Sequence, residues 1–390
     1  MKRTVLLLVA ILGGISAELS EYTTSTTSFT FDFFKHAYVP SENVVLSPIS
    51  IHSSLSMFYP LAGDKVAPVM QENLHLPADK DQATNNLRSF LQEMNKQTSG
   101  SSTLKVLSKV YHVNAELQPE VVPLFRDTLQ AEFEPADFHQ TDEVVASVNS
   151  WVEQATDGMI KEFMEAGDLR VDNDLMLLNV VVLNASWEVP FDAGETEPVP
   201  FHFQNGVHDV DMMFKLEQLL FANLPDHGCQ AVELLYEDGT DLSMMIVLPM
   251  KKSSLENVVQ QLDLGLYEKI NERMNKERIQ LAMPKFTMKK KTDAQELLKA
   301  MGLKALFEEL DLNLLKRDKS RIGEVRQTAY IKVDERGTEG AAATEVQAVG
   351  RAGYPMFYVD RPFLYLIRKR STKDIIFIGH YSVYEQQQQQ

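Results

Sequence analysis

Glu335-Arg336-Gly337-Thr338-Glu339-Gly340-Ala341-Ala342-Ala343-Thr344-Glu345-Val346-Gln347-Ala348-Val349-Gly350-Arg351 contains almost nothing large. Its even positions from Thr338 to Ala348 are small and uncharged, while Glu339, Glu345 and Gln347 fall on odd ones. A period of two is that of a strand with one dry and one wet face. Gly and Ala are nevertheless poor strand formers. The stretch can be a buried strand but has little local reason to be one, which suits a strand that forms only part of the time.

The run from Glu335 through Gly337, Thr338, Glu339, Gly340, Ala341, Ala342 and Ala343 to Thr344 resembles the hinge of the serpins. In that family the loop is exposed until a protease cuts it. It then enters the main sheet as a new central strand and carries the acylated protease along. Small side chains on the inserting face suit this, because large ones would have to force open a close-packed interior. Gly340 stands where the family usually has Ala.

Asn43-Val-Val-Leu-Ser-Pro-Ile-Ser-Ile51 reads as a short strand turning into a helix, with Ser47 as cap and Pro48 in the first turn. It also resembles the family, at the place where the main sheet parts, and Ser47, Ser50 and Ser53 offer small hydroxyls for buried elements that slide. Leu175 to Leu183 is a continuous apolar run, as in a buried central strand. The resemblance makes its one polar residue, Asn179, part of the sheet-opening switch. Its partner there is usually His; the matching residue is Gln327, which can also donate and accept, so the pair is expected to persist without pH sensitivity. Trp187, Pro190 and Phe191, the helix Asn149 to Thr156, and the paired strands Arg361–Ile367 and Ile375–Gly379 continue the likeness, which spans residues 25 to 384. It implies an α+β, single-domain serpin fold. Three largely antiparallel β-sheets, eight to nine helices and an exposed reactive-centre loop at about 335–357 belong to it.

Family geometry places the scissile bond sixteen residues beyond Glu335, at Arg351-Ala352, and counting back eleven from Pro362 agrees. Arg at that position suits a trypsin-like serine protease, whose specificity pocket ends in a carboxylate that a guanidinium meets bidentately. Gly350 before it tolerates a cramped adjoining subsite. The implied partner is such a protease, held covalently, in a coagulation, immune or other proteolytic cascade. The alternative within the family is a non-inhibitory carrier or binding protein.

Composition narrows the field. The 390-residue chain carries a formal charge of −17, with no basic block or motif for nucleic acid. Lys2 and Arg3 before the apolar run Val5–Leu12, and Ile15-Ser16-Ala17 after it, read as a secretory signal over 1–17. The apolar run is too short to span a bilayer. The remaining organisation is one domain over 18–385 and a low-complexity Gln tail over 386–390, with a secreted monomer as the expectation. The single cysteine, Cys229, lies in a strand-like run and reads as buried. Asn184-Ala185-Ser186 is a glycosylation sequon.

No metal spacing surrounds His52, His75, His112, His202, His208 or His227, and no nucleophile elbow or phosphate loop is present. Asp174, Glu308, Glu309 and Asp311 read as solvated. The chain is thus expected to be no enzyme and to need no cofactor. Lys289-Lys290-Lys291 and Arg368-Lys369-Arg370 are short basic clusters to which a heparin-like glycosaminoglycan could bind.

Overall fold

The computed structural model describes residues 21–94, 103–172, 174–237, 239–316, 318–338 and 353–385. The stretch 1–17 expected to be a secretory signal and the Gln tail over 386–390 lie outside these. Ten helical segments are described: α1 (residues 21–37), α2 (Pro48–Ser56), α3 (Val66–Asn73), α4 (Lys80–Met94), α5 (Val121–Pro123), α6 (Thr141–Ala155), α7 (Leu255–Gln261), α8 (Leu264–Arg273), α9 (Gln295–Leu298) and α10 (Ala305–Glu308). The surplus over eight or nine comes from division of longer stretches: α9 and α10 are the two ends of one helical stretch kinked at Gly302.

One sheet runs β10 (Phe286–Asp293), β11 (Glu324–Val333), β4 (Leu175–Ser186), β2 (Thr103–Val113), β3 (Glu132–Ala136), with β12 (Gly337–Thr338) added to the end of β4. β4 shows why its run is apolar throughout. Its Leu175, Leu177, Val181 and Leu183 face the central core, whereas Met176, Leu178, Val180 and Val182 pack under α6 with Val144, Val148 and Val152. A strand covered on both faces has no reason to alternate.

The second sheet follows the order β1 (Val44–Leu46), β15 (Ile375–Tyr381), β14 (Phe363–Lys369), β8 (Leu242–Pro249), β7 (Cys229–Leu235), β6 (Gly206–Leu224), β9 (Asn275–Pro284), β13 (Met356–Tyr358). β5 (Glu197–Phe203) pairs with the start of β6. Two of the three expected sheets are joined here because β6 is 19 residues long: its first part pairs with β5 and its last with β7.

α2 is buried along its whole length although four of its residues are serines. The hydroxyls of Ser53 and Ser56 each donate to the carbonyl one turn back at 2.7 Å, and that of Ser54 lies closer to Asn179 Oδ1, at 2.6 Å, than to Ser50 O, at 2.9 Å, so the dry environment leaves all three satisfied. Ser47 does not cap this helix. Its hydroxyl has no partner among the described residues, and a side chain from β11 holds its backbone instead. Asp311 corrects the reading of a solvated carboxylate: it is 4% exposed. Its Oδ2 accepts from the N–H groups of Lys65 and Val66 at the start of α3, and Lys319 donates to Oδ1 at 2.6 Å.

Candidate functional site

The site is the mouth of the sheet between β4 and β11. These strands pair in parallel from Glu324↔Met176 to Tyr330↔Val182. Beyond that point they part, and the chain leaving β11 turns back. Asp334 N–H donates to Gly337 O at 2.9 Å, and Gly337 and Thr338 pair antiparallel with Ser186 and Ala185. Gly337 and Thr338 of the hinge therefore already lie alongside β4, in the place a further strand would extend. The rest of the hinge, Glu339 to Thr344, and Gly350, Arg351 and Ala352 lie outside the described residues.

Gly337 is required at its position. Its φ is +145°, and a Cβ there would sit 2.2 Å from the backbone oxygen of Ala185. Around it, Trp187 is buried and stacked on Tyr236, with ring centroids 4.6 Å apart. Its backbone N–H donates to Arg336 O and its indole N–H to Asp334 O. The backbone N–H of Phe191 donates to Glu335 O.

The Glu335 carboxylate meets Lys285 Nζ at 3.0 Å and accepts from Thr196 Oγ1 at 2.8 Å. Burial pushes this carboxyl up. Its own backbone N–H, Lys285 and Thr196 outweigh that and hold it below the usual carboxylate range.

Asn179 and Gln327 are register partners, but their side chains do not bond to each other. Asn179 Oδ1 accepts from Ser54 Oγ at 2.6 Å and Ser108 Oγ at 3.0 Å. Gln327 reaches the start of α2: its Oε1 accepts from Ser47 N–H at 2.9 Å, and its Nε2 donates to Ser47 O and Ser50 Oγ, both at 2.8 Å. The expected direct pair is replaced by two anchorages on one helix. Serines at both ends of α2 lie within reach, and each takes one amide. Asn179 Nδ2 is left without a partner among the described residues. Pro48 opens α2 as expected. Asn184 is a half-buried residue of β4, paired with Thr103.

Ser54, Ser108, Thr196 and Lys285 are parts of this region that sequence reasoning did not assign. The signal for Ser108 was a hydroxyl in the middle of the β2 run; Lys285 offered none beyond its place between two strands.

The basic cluster Arg368-Lys369-Arg370 is not a surface patch. Arg368 is 1% exposed and bonds to Glu233 Oε1, Tyr267 OH and Asn271 Oδ1, and Lys369 is buried against Glu93. Both lie in β14, a strand buried along its whole length. Lys289 and Lys291 are exposed on β10, while Lys290 pairs with Glu42 at 2.7 Å. Cys229 is fully buried, and burial pushes its thiol up to about 11, which leaves it unreactive at neutral pH. No group of three or more His, Cys, Asp or Glu among the described residues is placed to hold a metal. No described helix is long and apolar enough to cross a membrane.

Comparison with known proteins agrees with this architecture. The profile of the serpin (serine protease inhibitor) family matches residues 24–383. The leukocyte elastase inhibitor of Xenopus tropicalis is 30% identical over 93% of this chain and 100% of its own length. The solved structure of SRPN18 from Anopheles gambiae superposes with a TM-score of 0.85 at 26% identity, covering 95% of this chain and 100% of that one. Human thyroxine-binding globulin, solved with its hormone, gives 0.85 at 22% identity over 93% and 98%, a likeness of fold alone. The chain belongs to the serpin family.

Proposed function

We propose that this chain is a secreted, single-use inhibitor of trypsin-like serine proteases, cut at Arg351-Ala352. One observation carries the reading: Gly337 and Thr338 are seated beside Ser186 and Ala185, with a run of small residues next in line to follow them.

The chemistry belongs to the protease. Its serine attacks the carbonyl carbon of Arg351, the bond to the Ala352 nitrogen breaks, and that nitrogen leaves as a free amine. The Arg351 carbonyl is then an ester of the protease. Insertion of the chain from Thr338 onward between β4 and β11 has to outrun hydrolysis of that ester and drag the protease across the sheet. In this scheme the chain is a trap and not an enzyme. A coagulation, immune or comparable cascade is where an Arg-directed inhibitor would act.

The test is to mix the protein with trypsin and run denaturing SDS gels. A covalent band near the summed masses that is lost in Arg351→Ala supports the reading. A loop cut without that band, and with no gain in heat stability after cleavage, overturns it in favour of a carrier with the same fold.

A further inference from the structure

Between Lys332 and Arg361 the chain holds two basic residues, Arg336 and Arg351. A protease that selects Arg by its specificity pocket therefore meets two candidates near the hinge. Arg336 is exposed, and the residue after it is Gly337, which puts no side chain in the way.

The geometry nonetheless closes this second bond. A serine protease takes its substrate as an extended strand and needs the carbonyl oxygen before the cut for its oxyanion hole. Here that oxygen, Arg336 O, already accepts from Trp187 N–H at 2.8 Å. On either side of it, Glu335 O accepts from Phe191 N–H at 2.8 Å and Gly337 O from Asp334 N–H at 2.9 Å. Arg336 N–H donates to Asp334 Oδ1 at 2.9 Å. Gly337 and Thr338 pair with Ser186 and Ala185, and the φ of +145° at Gly337 takes the chain out of the extended form. Asp334 and Glu335 add a like-charge obstacle, because the specificity pocket of such a protease itself ends in a carboxylate.

We propose that Arg336-Gly337 is a second, guarded cleavage site for trypsin-like proteases, that the seat of β12 on β4 is its guard, and that a cut there disarms the chain. The disarming rests on the reading of Arg351 as the trapping residue. In the cut, the protease serine attacks the Arg336 carbonyl carbon, the bond to the Gly337 nitrogen breaks, and that nitrogen leaves as a free amine. Water then hydrolyses the ester and leaves a carboxylate on Arg336. A later attack at Arg351 joins the protease only to the peptide 337–351, which is no longer continuous with β11.

The guard is held from outside the segment that a protease reads. Lys285 and Thr196 hold the Glu335 carboxylate, and the indole N–H of Trp187 donates to Asp334 O at 3.0 Å. Cleavage acts on the opened form, so its rate follows how often β12 lifts from β4. The pairing that seats the hinge for insertion thus also keeps the wrong arginine out of reach.

The test is made on the full chain carrying Arg351→Ala, which silences the first site. The protein is incubated with trypsin, and intact-mass spectrometry follows the fragment that begins at Gly337. Expected is slow release of this fragment, quickened about tenfold by Lys285→Ala and by Trp187→Phe. Neither change alters the residues that trypsin reads. Arg336→Gln should abolish the fragment and, with Arg351 restored, lower the number of inhibitors consumed per trypsin.

A rate equal in the parent and both loosened variants overturns the guard. Fragments from the whole chain in place of this one overturn it too, since they report global unfolding, as does the absence of any fragment beginning at Gly337. A Gly337 fragment that behaves as expected, beside failure of the covalent band with Arg351 intact, would sink the inhibitor reading alone.

Discussion

Lys285 and Glu335 meet at 3.0 Å beside the mouth between β4 and β11, one from the link between β9 and β10 and the other the first residue of the hinge. The pair, with Thr196, fixes where the chain leaves β11. Glu335→Lys sets two ammonium groups against each other and leaves Thr196 without its acceptor. We expect a loss of about 1–2 kcal/mol, seen as a fall of a few degrees in melting temperature. The exchange Lys285→Glu/Glu335→Lys should recover most of it, and a cycle showing no coupling would refute the pairing.

Gly337→Ala should release β12 from β4, since the added Cβ runs into backbone that cannot yield. Hydrogen exchange at the Trp187 amide, which donates to Arg336 O, should quicken. More molecules should then be cleaved without trapping, raising the number of inhibitors consumed per trypsin. Unchanged exchange at Trp187 would show the pairing to be dispensable.

Gln327→Ala leaves the buried Ser47 N–H without its acceptor, while Ser47 O and the Ser50 hydroxyl still bond to each other. Urea unfolding should register a loss of about 1–3 kcal/mol. Ser54→Ala should cost less, because Ser108 still donates to Asn179 Oδ1. The reverse order would mean that Asn179 is the main anchor.

Acid should destabilise the fold through two histidines. Burial pushes His52 and His380 down to about 4 each, so both are neutral in the folded state over most of the accessible range. The unfolded chain takes up these protons near pH 6.5. The stability they contribute is full above that value, shrinks as pH falls, and is gone below about 4, with up to about 3 kcal/mol per group. Melting temperature followed from pH 7 to 4.5 should fall, and His52→Gln should flatten the slope.

Arg368→Ala would strand Glu233, itself 3% exposed, and is expected to cost about 3–5 kcal/mol. Replacing both by methionine should return much of that, because two well-packed apolar chains need no compensation. Denaturant midpoints of the three variants decide it.

Much of the fold was legible in the sequence. The strands expected over Leu175–Leu183, Arg361–Ile367 and Ile375–Gly379 fall on β4, β14 and β15, because turn residues and apolar runs act within a few positions. Cys229 was likewise readable as buried from its neighbours alone. What escaped was partnership over long separations. Arg368 reads as a surface charge until Glu233, 135 residues earlier, is brought beside it. Asp311 reads as solvated until α3 comes to need a carboxylate at its start. Asn179 and Gln327 are register partners, yet the side-chain pair expected of them does not form. Which serines of α2 would claim their amides depends on the height at which that helix crosses the strands, and no local pattern records that.

The lysines of β10 have a consequence for the molecule in crowded solution. β10 is an outer strand of its sheet, with Lys289 and Lys291 pointing to solvent. An outer strand offers unused backbone groups to any neighbouring strand, and exposed lysines are a natural deterrent because a like-charged copy cannot approach. On the inhibitor reading the central sheet has to stay ready to accept one strand of its own, and a stranger's strand is the matching hazard. Lys289 and Lys291, exposed on this outer strand, oppose such an approach.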